Sequence, residues 1–144
     1  MYTIATIEDA IIAQLKDEIS YLKTCDSIDE FQVDDVAELV IRSPAAYVVY
    51  KGGEYESLPG GVQDRVMVFL VIAVAKSARG GDAPRHGAGG DKGAYDMIED
   101  VRAALSGERC GLAISALLPV LEECIGTGPD IAIYGIQFRT REEG

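Results

Sequence analysis

The sequence predicts an α+β fold: a mostly antiparallel sheet, two main helices packed on one face, and a long glycine-rich loop. Three observations predict it. Apolar residues recur every three or four positions in two stretches, 4–22 and 94–105, the period of an amphipathic helix. Two other runs, "QDRVMVFLVIAVAKS" (63–77) and "DIAIYGIQFRTR" (130–141), are rich in Val, Ile and Phe, as strands are. The order helix, strands, helix, strands contains too few consecutive βαβ units for a doubly wound sheet. Helices laid over one face of an antiparallel sheet bury both apolar stripes.

The first helix is carried by Ile4, Ile7, Ile11, Leu15, Ile19 and Leu22, with Glu8, Lys16 and Lys23 between them. Thr6 and Asp9 have the spacing of a capping box, and early acids suit the positive end of the helix dipole. Residues 24–31 read as a polar turn. "DDVAELVI" (34–41) reads as a short helical or extended segment that ends before Pro44, because the residue before a proline avoids the helical region. "AAYVVYKGGEYESL" (45–58) reads as a strand, a turn at Gly52-Gly53 and a second strand. The run at 63–77 is a long central strand. After the loop, Ala94, Ile98, Val101 and Leu105 form one helix face, flanked by Tyr95 and Met97, and Ser106-Gly107 is its stop. "ISALLPVLEECI" (114–125) fits helix or strand, with Pro119 interrupting any helix. The closing strand places Ile131, Ile133 and Ile136 on an alternating pattern that Gly135 locally disturbs.

At 144 residues the chain fits one domain with a sizeable core. A hydrophobic share of 48% and a charged share of 26% are ordinary globular values. The net charge of −11 excludes a general nucleic-acid binder, which needs surplus Lys and Arg to displace counterions. Residues 1–40 hold ten acids, among them Glu8, Asp9, Asp34 and Asp35, against two lysines. Residues 76–92 lean the other way, with Lys76, Arg79, Arg85 and Lys92 against Asp82 and Asp91. The acidic end is either a solvated surface or a patch that meets the basic loop of a neighbouring subunit. Cys25, Cys110 and Cys124 are too few and too scattered for a zinc site, and read as buried thiols of a reducing compartment. The N-terminus lacks the pattern of a signal peptide. The longest apolar run, "VMVFLVIAVA" (66–75), is too short to span a bilayer as a helix. The expectation is a soluble cytoplasmic protein with no membrane partner.

The loop "SARGGDAPRHGAGGDKG" (77–93) invites a nucleotide reading and fails it. A phosphate-binding loop needs Lys directly after Gly and a hydroxyl next, whereas Lys92 lies between Asp91 and Gly93. The dinucleotide fingerprint fits Gly87 and Gly89 but finds Lys92 where its third glycine belongs. Six glycines and Pro84 read instead as a mobile, solvated loop. Loops of this length in a compact domain are also frequently functional, which makes Arg79, Arg85, His86 and Lys92 candidate contacts to a partner. Catalysis has little to use: His86 is the sole histidine and no acid or thiol is visibly paired with it. The adjacent acids Asp34-Asp35, Glu122-Glu123 and Glu142-Glu143 point different ways in an extended chain. No enzyme, cofactor or metal is expected.

Five segments, "IEDAIIAQLKDEI", "SPAAYVVYKG", "VFLVIAVAKSARG", "GAYDMIEDVRAALSG" and "IAIYGIQFRTR", together resemble the small tail-completion proteins of Mu-like phages and prophages. That family is related in fold to the tail terminator (minor tail protein U) of long-tailed phages. The resemblance spans most of the chain and consists of core and turn positions. It implies a strand where the sequence reads "CGLAISALLPVLEECIG". It also implies a structural role: a homo-oligomeric ring of six at the head-proximal end of the tail, contacting the tail tube and the head connector. The remaining alternative is a small nucleotide- or ligand-binding domain that uses the loop at 77–93.

Overall fold

The computed structural model describes residues 1–27, 40–77 and 80–144. Helix α1 (Ile4–Glu18) leads into a short strand β1 (Thr24–Ser27), followed by β2 (Ala45–Ser57) and β3 (Gln63–Lys76). A one-turn helix α2 (Ala83–His86) and the longer α3 (Ala94–Leu105) come next, and β4 (Leu118–Thr127) and β5 (Ile131–Glu142) close the chain. The strands form one sheet in the order β1-β2-β3-β5-β4. β1 runs parallel to β2, and every other neighbouring pair is antiparallel. This is the α+β architecture expected from the sequence.

Side-chain alternation splits the sheet into two apolar faces. One face turns Ala46, Val48, Met67, Phe69, Val71, Ala73, Ile136 and Phe138 toward Ile7, Ile11 and Leu15 of α1 and Met97, Val101 and Leu105 of α3. The other gathers Tyr47, Leu70, Ile72, Val74, Ile131 and Ile133. β3 lies mid-sheet between β2 and β5, which is why its sequence is apolar on both faces. The two helices are also tied directly, the Gln14 amide donating to the Ala104 carbonyl at 3.3 Å.

Several local expectations are corrected. The cap of α1 is Thr3, whose side chain accepts from the Thr6 amide, so Thr6 and Asp9 do not form the capping box. Residues 24–27 are strand β1, not turn: Cys25 packs into the helix-side core, and the strand pairs with the first four residues of β2. Residues 45–57 are one continuous strand. The Gly52-Gly53 pair falls beside a bulge, and the chain reverses later, where the Leu58 amide donates to the Val62 carbonyl at 2.7 Å. Gly60 and Gly61 there take φ of +85° and +79°, a region that favours glycine. The undecided segment around Pro119 is edge strand β4, as the family resemblance implied; a proline is tolerated on an edge. Of the thiols, Cys25 is buried, Cys110 half-buried and Cys124 exposed, so the expectation of three buried cysteines holds for one. "DDVAELVI" lies outside the described residues except for its last two positions.

Candidate functional site

The described part of the loop after β3, residues 80–93, is exposed along much of its length but held by its own hydrogen bonds. The Ala83 amide donates to the Gly80 carbonyl at 3.1 Å, the His86 amide to the Asp82 carbonyl at 2.9 Å, and the Gly87 amide to the Ala83 carbonyl at 2.7 Å. Ala83 and Pro84 are buried, which anchors α2 against the body of the protein. An isolated bridge joins Ala88 and Asp91 and returns the chain to Gly93, the N-cap of α3. A side chain at Gly93 would run into the Arg85 carbonyl and the Gly87 amide. The close approach of the two loop arms therefore depends on that glycine.

Of the four basic positions singled out in the loop, three fall in the described part. Arg85 is half-exposed and His86 exposed. The His86 ring meets Tyr95 edge-on at 5.0 Å, and Tyr95 meets Tyr134 of β5 at 5.4 Å. An aromatic row thus continues from the loop across α3 to the sheet. Lys92 reaches two partners, Asp100 at 3.8 Å and the face of Tyr21 at 5.4 Å. The Tyr21 hydroxyl donates to the same Asp100 at 2.6 Å. Burial, together with that carboxylate, raises the Tyr21 phenol above its ordinary pKa. Arg79 lies outside the described residues.

Tyr21, Pro44, Lys76, Gly90, Asp91 and Lys92 line a cavity of about 170 Å³ at this end of the sheet. Two lysines beside one aspartate could hold a small anionic group. Pockets for drug-sized ligands are larger, roughly 300–1,000 Å³, so a nucleotide finds too little room. Among the described residues no group of three or more His, Cys, Asp or Glu side chains is placed to hold a metal. No described helix is long and apolar enough to cross a membrane.

The described acidic candidates, Glu8 and Asp9, do not join the basic ones within the chain. Glu8 and Asp9 sit in the N-terminal half of α1, half-buried and exposed respectively, and Asp34 and Asp35 lie outside the described residues. The start of α1 is held at the opposite end of the sheet. There Glu142 accepts from the Tyr2 amide at 2.6 Å and from Arg65 at 3.1 Å, and Arg65 also donates to the Tyr2 carbonyl at 2.7 Å. Beside this clasp Arg141 bridges Asp64 at 3.0 Å and Glu56 at 2.7 Å, tying the β2–β3 hairpin to the last strand.

Sequence reasoning missed an apolar surface. Nine large hydrophobic side chains are exposed among the described residues, and seven fall in the hairpin half of the sheet: Met1, Tyr55, Leu58, Val62, Leu118, Val120 and Leu121. Tyr55, Leu58 and Val62 belong to the β2–β3 hairpin, while Leu118, Val120 and Leu121 lie on β4 at the far edge of the sheet; contiguous exposed apolar groups mark contact surfaces more than scattered exposure does. The available signal was "LPVL" at 118–121, an apolar run around a proline, which belongs on an edge strand.

A family model described as Bacteriophage Mu, Gp37 matches residues 3–141. Among solved structures, the chain is similar to one described as "Virion of native gene transfer agent (GTA) particle", with a TM-score of 0.62, 16% identity and 100% of both chains covered. At that identity the likeness concerns the fold. No curated protein matches the sequence.

Proposed function

The chain belongs to the Bacteriophage Mu Gp37 family, and from that premise we propose that it is a tail terminator, a structural subunit whose ring ends tail-tube growth and docks to the head connector. The observation that carries the reading is the family match over residues 3–141. The full-length fold likeness to a chain of a gene transfer agent virion supports it. In this reading the chain is one structural domain that acts in the host cytoplasm during assembly and thereafter in the virion. It works by contact rather than catalysis. Arg85 and Lys92, with His86 beside Arg85, form a basic end that meets the tail or the connector, and Arg79 belongs to the same loop by sequence. The acids at Glu8, Asp9, Asp34 and Asp35 belong to surfaces met by neighbouring proteins. A net charge of −11 suits a bore that DNA passes without adhering; a ring with basic residues lining its bore would remove that part.

The test is the mass of the purified chain by light scattering over a wide concentration range, alone and with tail tubes. A closed oligomer near six copies of the 15.4 kDa chain is expected. A monomer under every condition, with no capping of tubes, overturns the reading. The cavity at the loop does not favour the nucleotide alternative, and a thermal-shift screen checks it. A ligand at 100 times its dissociation constant should add about 2.7 kcal/mol of stability, and no shift with ATP, GTP or NAD is expected.

A further inference from the structure

We propose that the open face of the sheet around Arg139 docks a protein other than this chain, one that presents a carboxylate between apolar side chains. The inference rests on the tail-terminator reading for its partners and adds a contact that this reading leaves open.

The strand registers decide which side chains share this face. Val68 pairs with Arg139 and Arg139 with Leu118, so the three stand in one row across β3, β5 and β4 and point to the same side. The next row toward the loop end is Leu70, Gln137 and Leu121. Leu70 belongs to the buried cluster with Ile72 and Ile133, so this is the face opposite α1 and α3. Burial along β3 stops there. Toward the hairpin Val68 and Val66 are half-exposed and Arg139 is exposed, while Leu118 and Leu121 on β4 are 50% and 48% exposed. Gly52 completes the row from β2 without a side chain, and nothing lies within 4 Å of where one would stand. The row is therefore open to an approaching surface on that side.

Arg139 carries an uncancelled charge at contact range. Its neighbour Arg141 is bridged to Glu56 and Asp64, whereas the Arg139 guanidinium has no ion pair or hydrogen bond among the described residues. The other acids paired into this face stand off. Glu54 pairs with Val66, two strands from β5, and Glu123 pairs with Gly135, four positions along β5. Strand spacing and residue rise put each about 12 Å or more from Arg139 at the backbone, beyond the Debye length of about 8 Å at physiological salt.

A guanidinium holds a carboxylate through two parallel N–H donors. Apolar side chains around such a pair keep water away from it, the setting in which arginine contributes most to protein contacts. Val68 and Leu118 flank Arg139 in its row, and Val66 and Leu121 stand diagonal to it. The complementary surface is one Asp or Glu among apolar side chains. A DNA backbone does not match it, because phosphates supply no apolar atoms for these flanks and the net charge of −11 repels them.

The full-length chain is sedimented with purified tail tubes and, separately, with connector-bearing heads. Arg139→Glu should weaken binding to one of them by about thirtyfold or more, the loss that defines a hot-spot residue. Leu118→Gln with Leu121→Gln should weaken binding to the same particle with no change of charge. Arg109→Glu makes an equal charge change at another exposed position and should leave binding as it was. All four positions are exposed, and thermal unfolding checks that each variant folds. Arg139→Glu binding both particles like the wild type overturns the inference and leaves the tail-terminator reading standing; so does an equal loss from Arg109→Glu. Self-association of the wild-type chain that Arg139→Glu abolishes assigns the face to a second copy and overturns the choice of partner. A wild-type chain that binds neither particle overturns the reading and the inference together.

Discussion

Replacing Glu142 with Ala removes the centre of the clasp that holds the N-terminus to the end of β5. The Glu142 side chain is 4% exposed and that of Arg65 is 10% exposed, so the pair is effectively buried. Taking away one partner of a buried ion pair costs about 3–5 kcal/mol, because the other charge is left without compensation. The lower end applies here. Arg65 keeps the Tyr2 carbonyl at 2.7 Å, and water can reach the small exposed part of its guanidinium. A loss of about 3 kcal/mol is a large share of the roughly 5–15 kcal/mol that folds a domain. With a urea slope of about 2 kcal/mol/M, the unfolding midpoint should fall by about 1.5 M. The double variant Arg65→Met with Glu142→Leu should recover most of that loss, since apolar side chains can replace a buried pair at little cost. A midpoint shift below about 0.3 M for Glu142→Ala, on the same slope, would refute the argument that the clasp is buried and compensated. So would a double variant less stable than the single one.

Two further outcomes are expected. Gly93→Ala should lower the melting temperature sharply, because its Cβ meets backbone of Arg85 and Gly87. Gly90→Ala, with nothing within 4 Å of the added carbon, should stay within about 1 kcal/mol of the parent. Burial pushes the Cys25 thiol up to about 11 from 9.0, so the unfolded chain releases that proton first as pH rises. The stability that depends on the protonated thiol is fully present below pH 9 and is lost as pH climbs toward 11. This amounts to about 2–3 kcal/mol at most; thermal melts across that range should show a shallower slope for Cys25→Ala, and an unchanged slope would count against the burial argument.

The long periodic elements were legible because one physical rule dominates each. The stripe Ile7, Ile11, Leu15 and the run 63–76 declare helix and central strand whatever surrounds them. Elements fixed by distant partners were not legible. β1 is four residues long and is a strand only because β2 lies beside it. Gly52-Gly53 carries the local chemistry of a turn, yet pairing with Val68 and Met67 keeps the chain extended. The loop looked solvated because its own composition buries little. Its order comes from Ala83 and Pro84 packing onto the body and from Gly93 admitting the opposite arm. Lys92 was visible as a charge, but its partner Tyr21 is remote in sequence and no local pattern links them.

The same distinction explains why the surface chemistry divides by end. At the loop end, Lys76 and Lys92 line the cavity beside Asp91, and α2 carries Arg85 and His86 in its last turn, so this end presents basic side chains. At the hairpin end the charges of Arg65, Arg141, Asp64 and Glu142 are spent on one another, and Leu58 and Val62 are left exposed. The two ends of the sheet therefore differ in character, one basic and one apolar. Two such surfaces cannot both suit one partner equally. On the tail-terminator reading proposed above, that asymmetry would suit a ring seated between two different structures, and reversing the charge at Arg85 should weaken binding at one face of such a ring while leaving the other unchanged.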